Sequence, residues 1–342
     1  MRRRVPPSPD IERDPFLEHD AATSRWRARV LGAQVEFSSN SRQLLAIAQD
    51  AFARVPQHRW SRDASCVVRV RLERVRGGMS RAAPPKPVLT SGAGLLLGHV
   101  DDRNFVVIDP AGARALIQVD DSMLRHRRLV RYELIEFATI TLATRVQGLV
   151  ALHAGCVGIR GRGVLLLGSS GAGKSTLALQ SALAGLDFLA EDSVFVNPAT
   201  LYATGLSAYV HPREDSLRLI GDPRARRAIR KAPGIRRRSG VHKREIDLRR
   251  GLARLAPRPL RIAATVVLSA RRSRGGDNLV PLTSVELRRV LRAEQPYAAA
   301  RPGWREFEQR VIRAGAFRLG RVSPADGVAA LRKLLATVEA QR

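Results

Sequence analysis

Apolar positions in the first part of the chain follow two different periods. In SRQLLAIAQDAFARV they recur at helical spacing behind Ser41, which predicts a helix with Ser41 as its N-cap. In CVVRVRLERVR apolar and charged residues alternate, as in a strand with one solvated face. Three shorter apolar runs of strand length follow. The pattern predicts a small α+β domain over residues 25–128. Residues 1–24 are rich in Pro, Asp and Arg without any period, and they predict a mobile tail.

After residue 128 the pattern changes to an alternation of strands and helices. Apolar residues repeat at helical spacing from Leu129 to Val146, and Gly148 ends the predicted helix. LVALHAGCVGI and VLLLG predict strands, KSTLALQSALAG a helix, and DFLAEDSVFV and LRIAATVVLSA further strands. The basic segment 213–248 is broken by Pro223, Pro233 and Gly234, and this pattern predicts that the segment includes a mobile loop. Three helices close the chain. This alternation predicts one α/β domain over residues 129–342.

A glycine-rich stretch connects the VLLL strand to the helix that follows it. It fits the pattern G-x-x-x-x-G-K-[ST], in which glycines let successive backbone N–H groups point at phosphate oxygens. The residues predicted to bind the nucleotide are Gly168, Ser169, Ser170, Gly171, Ala172, Gly173, Lys174, Ser175 and Thr176. The Lys174 ammonium would contact the β- and γ-phosphates, and the Ser175 hydroxyl would ligate Mg²⁺. The alternative is a glycine turn between two core elements.

Two neighbouring acids, Glu191 and Asp192, interrupt the next apolar run. Carboxylates in an apolar strand cost free energy unless a cation or hydrogen-bond donors hold them. One acid can bind the metal while the other accepts a proton from an attacking hydroxyl, and the alternative is an exposed acidic turn. His153 lies on the strand before the glycine-rich stretch. It could hydrogen-bond one of these carboxylates, or it could be an ordinary core histidine.

The segment LHAGCVGIRGRGVLLLGSSGAGKSTLALQSALAGLDFLAEDSVFV resembles the catalytic domain of the HPr serine kinase/phosphorylase family. The likeness covers residues 149–197, with weaker echoes in YVHPREDSLRLIG and KREIDL. It implies a P-loop kinase fold like the nucleotide-binding part of phosphoenolpyruvate carboxykinase, with ATP as the donor. It also implies that Glu191 is the general base, that His153 lies beside this base, and that Asp192 and Ser175 hold Mg²⁺.

The segment departs from this family in two respects. Where the family usually has an Asp-Asp pair, this chain has Glu-Asp, which moves the first carboxylate by about a bond length. No counterpart of the family's glycine-containing phosphorylase signature is evident, which favours a kinase without the reverse activity. The weaker echoes supply candidate phosphate contacts, namely His211, Arg213, Arg218, Lys243 and Arg244.

Composition narrows the choice of partners. The net charge is +28, but only five of the 59 basic residues are lysines, and the basic residues are spread along a chain with 5% aromatic residues. This favours a solvated basic surface over a nucleic-acid-binding face.

Cys66 and Cys156 give neither a disulfide framework nor metal-ligand spacing. No segment reaches the roughly 18 apolar residues of a membrane span, so we expect a cytoplasmic protein. Arg2, Arg3 and Arg4 leave contact with an anionic membrane surface open.

The sequence therefore predicts a kinase that uses ATP and Mg²⁺. The γ-phosphoryl group would pass to a hydroxyl, and the acceptor would be a serine on a protein or peptide. The family resemblance also implies a homo-oligomer. Two other functions stay open: a nucleotide-dependent binding module or switch without an acceptor, and a basic ATPase associated with nucleic acid.

Overall fold

A computed structural model of the chain describes residues 23–60, 66–78, 83–236, 238, 240–269 and 279–340. The predicted mobile tail lies outside these residues up to residue 22. The chain divides into two compact units. The first unit takes the chain up to Arg27 with Glu36–Asp50 and Arg69–Ala138, and the second unit takes Ala28–Val35, Ala51–Val68 and Thr139–Arg342.

One seven-stranded sheet contains the strands of the amino-terminal region. Its strands are β1 (Ser24–Val30), β2 (Ala33–Ser39), β3 (Val67–Val75), β4 (Val88–Gly92), β5 (Leu95–Asp101), β6 (Asn104–Asp109) and β7 (Arg114–Asp120), in the order β1-β2-β3-β7-β6-β5-β4. The predicted helix is α1 (Arg42–Phe52), and the Ser41 hydroxyl accepts from the Leu44 N–H as an N-cap does. In β3 the side chains of Val68, Val70 and Leu72 are buried, which confirms the predicted one-sided strand.

The helix predicted from Leu129 is α-helical only in its second half. After α2 (Asp121–Leu124) and α3 (Arg127–Leu129), the chain forms a π-helical segment at Val130–Glu136 and then α4 (Phe137–Val146). Val130, Leu134 and Ile135 are all buried in the wider turns of the π-helical segment. Over seven residues the apolar spacing of a π-helix and of an α-helix is too similar for the sequence to separate them.

The described residues after Asp120 contain thirteen further strands. They are β8 (Val150–Leu152), β9 (Gly155–Ile159), β10 (Arg162–Leu167), β11 (Asp187–Ala190), β12 (Val194–Val196), β13 (Tyr202–Gly205), β14 (Tyr209–Val210), β15 (Gly234–Arg236), β16 (His242–Arg244), β17 (Ile246–Asp247), β18 (Leu260–Leu268), β19 (Leu279–Pro281) and β20 (Ala316–Leu319). Nine of them form a mixed sheet in the order β11-β9-β10-β18-β13-β12-β8, with β20 beside β18 and β19 beside β20. Strand β18 runs parallel to β10 and to β20. The single strand predicted for LVALHAGCVGI is instead two strands, β8 and β9, separated at His153.

Helices cover both faces of this mixed sheet. They are α5 (Lys174–Leu183), α6 (Pro223–Lys231), α7 (Ser284–Glu294), α8 (Pro296–Ala299), α9 (Trp304–Ala314) and α10 (Pro324–Ala340). Val164 and Leu166 of β10 pack in one core with α5 and α10, whereas Leu165 and Leu167 pack in a second core with α7 and α9. Because β10 is buried on both faces from Val164 to Leu167, these four residues form an unbroken apolar run. The fold is a mixed α/β fold with several sheets.

The basic segment predicted as a loop is partly ordered into regular structure. Helix α6 lies within it, begins at Pro223 behind the N-cap Asp222, and buries Ala225 and Ile229. Two short antiparallel ribbons complete the segment, β14 with β17 and β15 with β16. Pro223 begins α6, and Pro233 directly precedes β15. A capping box opens α7, since Thr283 and Glu286 bond reciprocally at its start.

Candidate active site

The glycine-rich stretch turns tightly between the end of β10 and the start of α5. Gly168, Gly171 and Gly173 all have positive φ angles, of 143°, 85° and 102°. A Cβ on Gly168 would lie 3.0 Å from the carbonyl oxygen of Leu268, the last residue of β18. Gly168 therefore lets the turn pass close to the neighbouring strand, and the other two glycines supply backbone angles that L side chains disfavour. The turn leads into the amino end of α5, and the amino end of a helix is suited to bind an anion because its first N–H groups have no carbonyl partner within the helix.

Lys174 is the first residue of α5, and its side chain folds back over the turn. The residue is 7% exposed, and Nζ donates to the carbonyl oxygens of Gly168 and, at 3.3 Å, Ser169. Burial lowers the pKa of the Lys174 ammonium, while the charges of Glu294 and Asp192 act in the opposite direction. Two carboxylates thus help to keep a cation at the amino end of this helix.

The carboxyl end of α7 holds the turn and the β8–β9 junction together. Glu294 accepts a hydrogen bond from the Gly168 N–H at 3.0 Å. The Gln295 amide bonds the His153 backbone twice, accepting from its N–H at 2.8 Å and donating to its carbonyl at 3.0 Å. Sequence reasoning missed both residues, because nothing in the pattern of α7 separates them from other polar residues at a helix end.

The two predicted acids follow β11 directly and engage different partners. Glu191 is 3% exposed; its Oε1 accepts from the His211 backbone N–H at 2.7 Å and lies 3.0 Å from His211 Nδ1. Its Oε2 is buried and has no hydrogen-bond partner among the residues that the structure describes. Asp192 is half-buried, accepts from the Ser193 hydroxyl, and is the acid of the pair whose charge acts on Lys174.

His153 lies beside the acid pair but contacts its backbone. Its exposed ring places Nδ1 3.1 Å from the carbonyl oxygen of Asp192. The histidine bound to a carboxylate is His211, which is 7% exposed and whose Nε2 lies 3.8 Å from Glu245 Oε1. The sequence predicts His211 as a phosphate contact, but in the structure this residue contacts Glu191. Its contacts with Glu191 lie across 20 positions of the chain, so no local motif could reveal them.

The basic candidates of the same segment are exposed or half-buried. Arg213 and Arg218 are exposed, and Lys243 pairs with Arg213 through an isolated backbone bridge. Arg244 forms an ion pair with Glu214 at 2.5 Å. This ion pair lowers the pKa of the exposed Glu214 carboxyl.

The oxygen atoms near the turn are suited to Mg²⁺. Asp192 supplies a carboxylate and Ser175, in the first turn of α5, a hydroxyl, which are the hard ligands that Mg²⁺ prefers. The described residues contain no group of three or more His, Cys, Asp or Glu side chains arranged to hold a metal. A site of one carboxylate and one hydroxyl is of the kind that Mg²⁺ shares with nucleotide phosphates. The Oε2 atom of Glu191 is buried and has no hydrogen-bond partner among the described residues, so a proton donor or a cation next to it would be stabilising.

Comparisons with known proteins gave little. No protein-family model matches the chain, and no curated protein matches it. One similar solved structure is titled "Structure of the Hpr(Ser) kinase/phosphatase from Coxiella burnetii". Its sequence is 13% identical to this chain, and the match covers 55% of this chain and 98% of that chain with a TM-score of 0.32. A TM-score of this size carries no argument about function. In the part of the chain that the structure describes, no helix is long and apolar enough to cross a membrane.

Proposed function

We propose that this protein is a kinase that uses ATP and Mg²⁺ to phosphorylate a hydroxyl, and that the acceptor is a serine on a protein or peptide. The proposal rests on Lys174, which is buried at the amino end of α5 and follows a turn that contains three glycines with positive φ. The negative charge of Asp192 acts on the Lys174 ammonium. A fixed cation, the backbone N–H groups at the amino end of a helix and a nearby carboxylate are elements that phosphoryl transfer uses.

Each residue of the site has a distinct role in this proposal. The glycine-rich turn with the start of α5, residues 168–176, and the Lys174 ammonium bind the phosphates, and Ser175 with Asp192 holds Mg²⁺. When bound, the metal neutralises charge on the phosphates. Glu191 accepts the proton of the acceptor hydroxyl. The oxygen of that hydroxyl forms a bond to the γ-phosphorus, while the bond between this phosphorus and the leaving oxygen of ADP breaks. His153 lies beside this pair, hydrogen-bonded to the backbone of Asp192.

We expect Lys174→Ala to abolish phosphoryl transfer while the protein stays folded. Loss of a single preorganised charge on a transferring group costs about 10²- to 10³-fold in rate. Labelled γ-phosphate from ATP, followed into protein in a cell extract and located on serine by mass spectrometry, measures the transfer. Lys333→Ala is the matched control, because Lys333 is exposed on α10. Full transfer by Lys174→Ala would show that the glycine-rich turn is not the active site.

The same experiment addresses the other functions. A nucleotide-dependent switch would release only free phosphate and label no acceptor. A nucleic-acid-associated ATPase would hydrolyse ATP faster when DNA or RNA is added, and its nucleic-acid affinity would fall steeply with salt. Label on a seryl side chain, unaffected by nucleic acid, is the outcome that the kinase predicts.

A further inference from the structure

Two nitrogen atoms of His211 contact the same carboxylate oxygen of Glu191. The backbone N–H of His211 donates to Oε1 at 2.7 Å, and Nδ1 of the same residue lies 3.0 Å from it. Both side chains are buried, Glu191 at 3% and His211 at 9% side-chain exposure. Hydrogen bonds to an ionised carboxylate are stronger than neutral ones, and burial excludes competing water. These two bonds fix where the Glu191 carboxylate lies.

His211 is itself held by a short ribbon. It follows β14, which pairs antiparallel with β17 in the register Tyr209 with Asp247 and Val210 with Ile246. Extending that register places His211 opposite Glu245, and the Glu245 carboxylate does lie 3.8 Å from His211 Nε2. The imidazole therefore lies between two carboxylates, with its backbone anchored in a strand pair. Such a support is more precise than a free loop.

The length of the Glu191 side chain matches the position of this support. An aspartate at the same position would withdraw its carboxylate by one carbon–carbon bond, roughly 1.5 Å. A separation of 3.0 Å from Nδ1 would then exceed about 4 Å, beyond the reach of a hydrogen bond. The extra methylene of Glu191, relative to an Asp-Asp pair, is what allows it to reach His211.

We propose that His211 is a positioning residue that fixes the Glu191 carboxylate by occupying Oε1, so that Oε2 is the oxygen that takes the proton of the acceptor hydroxyl. The inference rests on the proposed function. Oε2 is buried and has no hydrogen-bond partner among the described residues, and an unsatisfied buried oxygen recovers free energy when a proton donor reaches it. Glu191 and His211 should then act as one unit, and neither should tolerate a change that separates them.

The test is a set of variants at the two positions. His211→Ala removes the ring donor, whereas His211→Asn keeps an N–H donor close to the position of Nδ1. Glu191→Asp shortens the carboxylate, and the double variant Glu191→Asp/His211→Ala closes a double-mutant cycle. His242→Ala is the matched control, since His242 is exposed on β16. Far-UV circular dichroism and thermal melting confirm folding, and kcat and the KM for ATP are measured for each variant.

We expect His211→Ala and Glu191→Asp each to lower kcat by about 10²-fold, the order of loss that a displacement of about 1 Å can cause. The KM for ATP should stay at the wild-type value, because neither residue contacts the nucleotide in this proposal. His211→Asn should restore most of kcat, and the double variant should be no slower than Glu191→Asp. Wild-type kcat in His211→Ala or in Glu191→Asp, or His211→Asn as slow as His211→Ala, would overturn the assignment.

A second measurement separates failure of this inference from failure of the proposed function. In ¹⁵N-histidine-labelled protein, the His211 ring should show a protonated Nδ1 in hydrogen-bond contact, a signal assigned by its loss in His211→Asn and shifted in Glu191→Asp. No transfer by the wild type with this signal intact counts against kinase activity. A wild-type ring without a protonated Nδ1, or one unaffected by Glu191→Asp, counts against the positioning role.

Discussion

Lys174 is subject to opposing influences on its charge. Burial lowers the pKa of the ammonium, and the carboxylates of Glu294 and Asp192 raise it. Glu294 has a second function, because its Oε2 also accepts from the Gly168 N–H at the start of the turn. In this structure one carboxylate therefore both anchors the glycine-rich turn and favours the charged form of the lysine that lies over it.

Glu294→Gln separates these two functions. The glutamine oxygen can still accept from the Gly168 N–H, but the negative charge is gone, so we expect the pKa of Lys174 to fall below its wild-type value. The rate at which an amine-reactive reagent acylates Lys174, followed by mass spectrometry over a series of pH values, reports that pKa. The presence of only five lysines makes the modified peptide easy to assign.

A suitable control for this change is Glu306→Gln, which removes an exposed carboxylate on α9. The pKa of Lys174 in this control variant should equal the pKa of Lys174 in the wild type. If Glu294→Gln raised the apparent pKa of Lys174 or left it unchanged, the electrostatic role of Glu294 would be wrong.

At the scale of elements, the sequence predicted best where one face of an element is polar. Strand β3 and helix α1 have one polar face each, and both were found where the pattern placed them. The pattern did not predict the break between β8 and β9. Apolar residues lie on both sides of His153, so the hydrophobic periodicity does not change at this residue. It also failed at α6, whose buried stripe consists of only Ala225 and Ile229 within a run of arginines.

The candidate site shows the same division between local and distant signals. The glycine-rich turn and the acid pair could be predicted because each is a contiguous motif next to a strand. The contacts of His211, Glu294 and Gln295 could not, because these residues reach their partners across 20, 126 and 142 positions. Such contacts depend on which strands and helices meet, and one sequence without its fold does not contain that information.

Within the second unit, His58 connects the segment between α1 and β3 to Thr204 of β13 and to Ala256. The described residues 53–60 form neither helix nor strand. His58 Nε2 lies 2.8 Å from the carbonyl oxygen of Ala256, and Nδ1 lies 2.7 Å from Thr204 Oγ1. A carbonyl only accepts, so the network assigns the proton to Nε2, and the neutral ring satisfies both contacts. Burial lowers the pKa of His58, although the bond to Ala256 acts in the opposite direction.

This shift predicts how stability depends on pH. The folded pKa of His58 lies below the unfolded value of 6.5, so above that pH both states are neutral and the contribution is complete. As the pH falls below 6.5 the unfolded chain takes up a proton first, and the free energy of unfolding decreases. Urea unfolding from about pH 7.5 to about pH 5.5 should show a smaller loss in His58→Gln, which keeps an N–H donor without titrating. Equal losses in the two proteins would contradict the prediction.

At the scale of the whole molecule, the basic residues greatly exceed the acids available to pair with them. Some arginines are internally paired: buried Arg131 contacts Asp50 and Glu136, and buried Arg249 contacts Asp247. With 59 basic and 31 acidic residues, pairing cannot remove the net charge of +28. A charge of this size keeps a protein soluble but destabilises the folded state through self-repulsion.

We therefore expect the melting temperature to rise when NaCl is increased from about 10 mM to about 150 mM, since the Debye length falls from about 30 Å to about 8 Å. Differential scanning calorimetry measures this directly, and a melting temperature that is constant or falls would refute the repulsion argument. Sodium sulfate at equal ionic strength adds a control for specific binding, because screening alone should give the same rise with both salts. Any additional rise with sulfate that disappears in Lys174→Ala would report an anion bound at the glycine-rich turn.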